Sequence, residues 1–337
     1  MKIILDAMSG DNAPLEVLRG AILAKESIPA IEISLVGDPD LLSECAAENK
    51  LSLDGFEIVS APTVITMEDP PLCVVHEKKD SSMGTGLKML SLGEGDAFVS
   101  AGNTGALLAG ASLIVRRLKG VARPGIGAIL PLSNPVLLLD SGANITVTDE
   151  NLEMFALMGS VYMRKIYGIE SPRVGQANNG TEPTKGLPLQ IAAYDRLSSN
   201  TEINFVGNIE GKDIPFNACD VLVTDGFTGN VILKMAEGMG RLMLNTMKEL
   251  FASNLFAMIS AGMMTAKIND LKHRFDSSEH GGAPILGVRR PVIKAHGGSD
   301  AKAIKNAIIQ AEKFVRDDVN GEIERVAAAL AESKNSK

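Results

Sequence analysis

Cysteine is scarce in this chain, and a surplus of basic charge is missing altogether. Three cysteines, Cys45, Cys73 and Cys219, lie far apart in 337 residues without the paired spacing of metal ligands. That excludes a disulfide framework or a zinc ribbon and leaves reduced thiols. A formal net charge of −8 excludes general nucleic-acid binding, which needs a basic footprint, while still allowing a local basic patch. No apolar run reaches the roughly 18 to 20 residues of a spanning helix, and an acid at Asp6 comes too early for a secretory signal. A cytoplasmic protein is therefore expected. Low-complexity tracts, long charge blocks and a Pro/Gly/Ser linker are also absent, and 45% apolar against 22% charged residues is a globular balance. These absences predict one interwoven α/β unit over residues 1–330 with a disordered tail over 331–337.

What is present is an alternation of strand and helix signals. Strands are predicted at Lys2–Ala7, Glu32–Val36, Phe56–Ser60, Ala97–Ser100, Val136–Asp140, Arg173–Ala177, Ile203–Gly207, Val221–Thr224 and from Val292. Between them the apolar spacing predicts helices from Pro14, over Leu41–Asn49, Asp80–Leu92, Gly105–Leu118, Thr148–Tyr167, Leu187–Ser198 and Asn230–Phe251, and from Asp300. Such alternation means a mainly parallel sheet covered on both faces, a Rossmann-like α/β/α arrangement of three layers. Residues 235–268 break the rhythm: Met239, Leu242, Met243, Met247, Leu250 and Phe251 follow helical spacing, and Leu255, Phe256, Met258, Ile259, Met263 and Met264 continue it. A helical hairpin is predicted there, serving either as packing or dimer contact through adaptable methionines or as a surface-seeking amphipathic element.

In an open α/β sheet, ligands collect beyond the carboxyl ends of the strands, where loops enter helices. DAFVSAGNTGALL (residues 96–108) is a buried strand, a turn and a helix start, and its turn has no lysine or arginine. An anion there would be met by backbone amides and the positive end of the helix dipole. DVLVTDGFTGNVI (residues 220–232) aligns with it without gaps at an offset of 124, that is 220 minus 96. The anion-binding candidates are Gly102, Thr104 and Gly105 with Asn103 in the first turn, and Gly226, Thr228 and Gly229 with Asn230 in the second. Counter-charge is expected from VIKAHGGSD (residues 292–300), where alternation puts Lys294 and His296 on the same side of a strand end. Lys294 offers a point charge, and His296 a donor or proton shuttle. The acids Asp6, Asp11, Asp140 and Asp225 stand in the same turns; capping and loop bracing are their expected roles, with no metal or cofactor. No Ser/His/Asp order and no GxGxxG at a first strand-to-helix turn is present, which argues against a hydrolase triad and a dehydrogenase.

DAMSGDNAP (6–14), SAGNTGAL (100–107), LLLDSGAN (137–144), TDGFTGN (224–230), GGAPILG (281–287) and VIKAHGGSD (292–300) resemble, in order and spacing, the bacterial phosphate acyltransferase family of phospholipid synthesis. The resemblance runs from Met1 to about Val315. Ser9, where that family has a second glycine, and Asn179, where it has an aliphatic residue, are departures. The resemblance implies an isopropylmalate-dehydrogenase-like fold related to phosphotransacetylases, a homodimer, and contact with the membrane surface. It also implies transfer of a long-chain acyl group from acyl-ACP to inorganic phosphate, the acyl-phosphate passing to a membrane glycerol-3-phosphate acyltransferase. On this reading the two turns and Lys294 seat phosphate, and His296, Asn103 or Asn230 donates to the oxyanion. The acidic carrier would dock on Arg116, Arg117, Lys119 and Arg123, or on Arg289 and Arg290. A CoA-dependent phosphotransacylase and a membrane-peripheral scaffold of lipid synthesis are the rival readings.

Overall fold

The computed structural model describes residues 1–252, 264, 267 and 281–335. Strands β1 (Lys2–Asp6), β2 (Glu32–Gly37), β3 (Glu57–Ser60), β4 (Ala97–Ser100), β5 (Gly125–Ile126), β6 (Ala128–Leu130), β7 (Val136–Leu139), β8 (Arg173–Asn178), β9 (Asn204–Glu210), β10 (Val221–Val223), β11 (Ala283–Leu286) and β12 (Val292–Lys294) follow one another along the chain. Between and after them come α1 (Leu15–Ser27), α2 (Pro39–Glu48), α3 (Ser82–Leu92), α4 (Thr104–Gly110), α5 (Asp149–Tyr167), α6 (Pro188–Ser199), α7 (Gly226–Ala252), α8 (Ala301–Arg316) and α9 (Val319–Asn335).

Among the described residues the strands form two sheets, a seven-stranded one in the order β3-β2-β1-β4-β12-β11-β5 and a five-stranded one in the order β6-β7-β10-β8-β9. Pairing is parallel except where β11 meets β12 and β5, and where β6 meets β7. The central strands β4, β7 and β10 read AFVS, VLLL and VLV and are buried at every position. A strand apolar on both faces belongs between two helical layers, so the sequence itself requires helices above and below. One hydrophobic cluster runs through both sheets, joining Ile3, Leu5 and Val99 to Leu137, Leu139, Val221 and Val223 through α5 and α8. Helix α5 is the inner one: Thr148 and Asn151 close a capping box at its start, Gly168 in the left-handed region ends it, and Phe155, Met158 and Tyr162 are fully buried.

The expected strands and helices are present, with boundaries moved by a few residues. Three short strands escape the sequence reading: β5, β6 and β11 have two to four residues each, too few for a period to show. The helix expected over Gly105–Leu118 stops at Gly110 and widens into a π-helical turn, Ala111–Arg116. Arg116 ends that turn at φ 73, where only glycine is at ease, held by the bond from the Arg289 amide to its carbonyl. The residues expected to form a tail from 331 onward are helical up to Asn335, as the last turns of α9. That helix packs Val319, Ile323 and Ala327 into the core, and its register carries the chain end along. Among the described residues no helix is long and apolar enough to cross a membrane. The expected hairpin over 235–268 is described as far as Ala252, as part of α7; beyond that, all but Met264 and Lys267 lie outside the described residues.

Candidate active site

The carboxyl ends of β1, β4 and β12 are neighbours in the larger sheet, and the loops that leave them are laced together. Asp11 donates its amide to the Gly297 carbonyl at 2.8 Å, and the Asn12 side-chain amide donates to the carbonyls of Gly298 and Ser299, both at 3.3 Å. Gly10, at φ 115, allows this approach: a Cβ there would lie 3.0 Å from Ala101 Cβ and 3.2 Å from the Gly297 carbonyl. Asp6 is buried and accepts from Ser100 Oγ at 2.7 Å, joining β1 to β4.

Lys294 closes β12 in register with Ser100 of β4 and is only 9% exposed. Its Nζ donates to the Ala101 carbonyl at 3.2 Å and to the Ala295 carbonyl. Burial pulls its pKa down from 10.5 to about 8, against the opposing fields of Asp6 and Asp11 and with a further push from Lys234. His296 does not share the strand face with it. β12 ends at Lys294, and a turn closed by the Ser299 amide on the His296 carbonyl takes the imidazole out to solvent, so alternation no longer applies. Its Nδ1 accepts from the Gly298 amide at 3.1 Å, which in the neutral ring assigns the proton to Nε2. His296 thus presents a fixed outward N–H.

The two repeated turns hold different things. In the first, Asn103 caps α4 by accepting from the Ala106 amide at 3.0 Å, while its NH₂ donates to the carbonyls of Thr66, Met67 and Asp69. Both its amide hydrogens are engaged, which corrects the expectation that Asn103 donates to an oxyanion. The cap leaves the amides of Thr104 and Gly105 without a protein acceptor among the described residues, and Thr104 is exposed. This turn fits an anion.

In the second, the protein occupies the amides itself: Gly226 donates to the Asn144 carbonyl at 2.7 Å, Thr228 to Asp225 Oδ1 at 2.9 Å, and Gly229 to the Asp225 carbonyl at 2.9 Å. The glycines are there because α7 starts against the 140–144 loop; a Cβ on Gly229 would lie 1.9 Å from the Asp140 carbonyl oxygen. The expectation that Gly226, Thr228 and Gly229 cradle phosphate is corrected accordingly. Buried Asp140 organises that loop, accepting the amides of Ile126, Gly142, Ala143 and Asn144 at 2.6 to 3.1 Å and Asn144 Nδ2 at 2.8 Å. Asn230 is exposed, with its side chain over Gly142. Lys234 follows one helical turn later on the same face and acts on Lys294, so α7 brings the smaller sheet's loops toward the Lys294 pocket.

Lys234 was missed in the sequence, although its spacing of four from Asn230 was the signal. Ser9 and Ser299 were missed as buried polar groups in the loops at these strand ends. Both hydroxyls are buried with no partner among the described residues; Ser9 Oγ faces Gly102 and Ser299 follows the His296 turn. No pattern flags them, because orphaned hydroxyls exist only in three dimensions. Among the described residues no cluster of His, Cys, Asp or Glu could hold a metal ion.

At the far end of the α4 segment, roughly 18 Å from Thr104 by helical rise, the two arginine groups form one surface. Arg117 bridges to Val288, the Leu118 amide bonds the Gly287 carbonyl, and Arg289 Nε bonds the Arg117 carbonyl. Arg116, Arg117, Lys119, Arg123, Arg289 and Arg290 are all exposed, and none is paired with a carboxylate among the described residues. A depression of about 540 Å³ opens beside Arg116 and Arg117, with Ser112 and Gly120 in its wall.

The family model described as "Fatty acid synthesis protein" matches residues 1–322. The phosphate acyltransferase of Caldanaerobacter subterraneus subsp. tengcongensis is 44% identical over 320 residues, covering 95% of each chain. That of Thermoanaerobacter pseudethanolicus is 43% identical over 333 residues, covering 98% of this chain and 99% of its own. Among solved structures, a phosphotransacetylase from Streptococcus pyogenes superposes with a TM-score of 0.65 at 16% identity over 94% of each chain. A branched-chain phosphotransacylase from Enterococcus faecalis V583 gives 0.56 at 13% identity, covering 94% of this chain and 99% of its own. At these identities the likeness is one of fold, and it bears out the layered α/β arrangement expected from the sequence.

Proposed function

The chain belongs to the phosphate acyltransferase family, within the fatty acid synthesis proteins, and from that premise we propose that it moves a long-chain acyl group from an acyl carrier protein to inorganic phosphate. That it is an acyltransferase follows from its relatives; the donor, the chain length and the residue roles are our reading. The observation that carries it is the set of polar groups at the carboxyl ends of β1, β4 and β12. There a buried ammonium closes β12, an outward imidazole N–H follows two residues on, and a helix start with open amides follows the neighbouring β4.

An enzyme for this reaction needs no covalent step, because phosphate brings its own nucleophilic oxygen. What it must supply is position. Phosphate sits between the Lys294 ammonium and the amides of Thr104 and Gly105, with the Gly102 turn against it. The thioester carbonyl points at His296 Nε2, with Asn230 as a second donor from α7. Holding two reactants in line contributes roughly 7 kcal/mol or more in favourable cases, and an aimed donor about 3 kcal/mol. Asp6, Asp11, Asp140 and Asp225 keep the loops in place. The deciding measurement is release of free carrier thiol from palmitoyl-ACP by the purified protein with and without phosphate. A phosphate requirement and a preference for the carrier over CoA are expected. Release that ignores phosphate would reject the reading, and a preference for acyl-CoA would transfer it to a CoA-dependent phosphotransacylase.

The joined surface of Arg116, Arg117, Lys119, Arg123, Arg289 and Arg290 supports docking of an acidic carrier on a chain that is itself acidic overall. Reversing Arg116 and Arg117 to Glu is expected to raise the KM for acyl-ACP 10-fold or more at low salt, by removing electrostatic steering. Activity on a small acyl thioester should stay unchanged, and the dependence on salt should flatten. An unaltered salt profile would move the docking site elsewhere.

Helix α7 leaves Phe227, Val231, Met235, Met239, Leu242 and Leu250 exposed, spaced by three to eight residues along one side. That stripe supports the second copy and the membrane contact implied by the resemblance. The product, an acyl-phosphate with a long chain, would then be handed to a membrane glycerol-3-phosphate acyltransferase on the cytoplasmic side.

A further inference from the structure

Resting on the reading above, we propose that Lys294 is the proton carrier of the transfer, handing a proton to the departing sulfur and recovering one from phosphate, rather than only a charge that holds phosphate. The geometry separates the two jobs. Two of the three Nζ hydrogens are used by the Ala101 and Ala295 carbonyls, at the ends of the adjacent strands β4 and β12. An ammonium has a third hydrogen where a neutral amine has a lone pair. Losing that proton breaks neither holding bond, so the group stays in place in both states and its third position is the one that can give up and regain a proton. His296 is built the other way: its Nδ1 receives the Gly298 amide, so a second ring proton would cost that bond. The imidazole is therefore a fixed donor, and the lysine the exchangeable one.

The charged groups facing Lys294 are Asp6 from β1, Asp11 from the loop after it, and Lys234 from α7, with the imidazole of His296 two residues on. Burial and Lys234 ease the proton off while the two acids hold it on, leaving a pKa of about 8. The step balances without any other reactant. An oxygen of HPO₄²⁻ attacks the thioester carbon, the carbon–sulfur bond breaks, and sulfur leaves as a thiolate that takes the Lys294 proton. The acyl-phosphate still carries the hydrogen of the original phosphate and gives it to the neutral amine. One proton has moved from phosphate to sulfur, and Lys294 is recharged.

The test uses the full-length protein and its Lys294→Arg variant. Arginine keeps the charge that seats phosphate but cannot release a proton. Two thioesters of the same acyl chain are compared, one of N-acetylcysteamine and one of thiophenol, whose thiolate leaves without help from an acid. With the alkyl thioester the variant is expected to lose on the order of 100-fold in kcat, the lower range for a general acid. With the aryl thioester most of that loss should disappear. Wild-type kcat at saturating phosphate should fall above pH 8, as the ammonium form is lost, and the variant should lack that limb. Equal losses on both thioesters, with a raised KM for phosphate, would make Lys294 a phosphate seat only and overturn the proposal. Wild-type protein that cleaves neither thioester in a phosphate-dependent way would instead remove the acyltransferase reading beneath it.

Discussion

Replacing Lys294 by methionine is expected to slow phosphate-dependent transfer by about 10²- to 10³-fold and, at neutral pH, to make the protein more stable. Removing a preorganised charge from an active site commonly costs 10² to 10³ in kcat, roughly 3 to 4 kcal/mol. The stability gain has a separate origin. A lysine whose pKa drops from 10.5 to about 8 on folding is charged at a cost of about 3 kcal/mol. Methionine fills the same space without the charge but leaves the Ala101 and Ala295 carbonyls without their donor, at about 1 kcal/mol each. The net gain at pH 7 should therefore be about 1 kcal/mol. Its sign depends on pH. Below pH 8 both folded and unfolded wild type carry the proton, and the full cost applies. Between 8 and 10.5 the folded protein binds fewer protons than the unfolded chain, so wild-type stability climbs and the advantage of the variant disappears. Urea unfolding at pH 7 and pH 10, paired with a phosphate titration of activity, checks both halves. A variant that is less stable at pH 7 would mean that Lys294 is not buried at a cost.

Gly229→Ala is expected to do the reverse, unfolding the protein more readily by about 3 kcal/mol or more and disabling the site as a consequence. The added Cβ would lie 1.9 Å from the Asp140 carbonyl oxygen and 3.0 Å from its carbon, with Thr224 Cγ2 also at 3.0 Å. The obstacle is backbone fixed by the Asp140 hydrogen bonds, so α7 has to move away from the 140–144 loop, and overpacking of this kind costs 1 to 3 kcal/mol or more. Gly238→Ala, in the same helix with nothing within 4 Å of the added atom, is the control; it should be neutral or stabilise by roughly 0.5 to 1 kcal/mol. Equal urea midpoints for the two variants would show that α7 does not start against that loop.

The same glycine shows how far motif reading reaches. Aligned residue by residue, the turns at 100–107 and 224–230 look like two copies of one anion cradle. Folded, the first is capped by Asn103 and leaves Thr104 and Gly105 open, whereas the second is capped two residues earlier in the alignment, by Asp225, and gives its amides to Asn144 and Asp225. Glycine permits close approach of anything, and the sequence cannot say whether a phosphate or the protein's own backbone comes near. His296 carries a similar lesson. Strand alternation placed it beside Lys294, but the strand stops at Lys294, two residues short of His296, and a turn moves it outward. Arg116 and Arg289 stood as alternatives in the sequence, 173 positions apart, that is 289 minus 116, and are one surface only because the segment after β11, Gly287 to Arg289, runs along residues 116–118.

The sequence by itself determined the layered α/β fold, the order of most strands and helices, and the residue types at the strand ends. Those depend on burial and helical period, which are local and repeat over many residues. Tertiary structure alone decided which turn has free amides, how Lys294 is held, that Lys234 acts on Lys294, that the Ser9 and Ser299 hydroxyls are buried without a partner among the described residues, and that two basic segments coincide. Each of these depends on a single contact between segments distant along the chain, and one contact leaves no period to read.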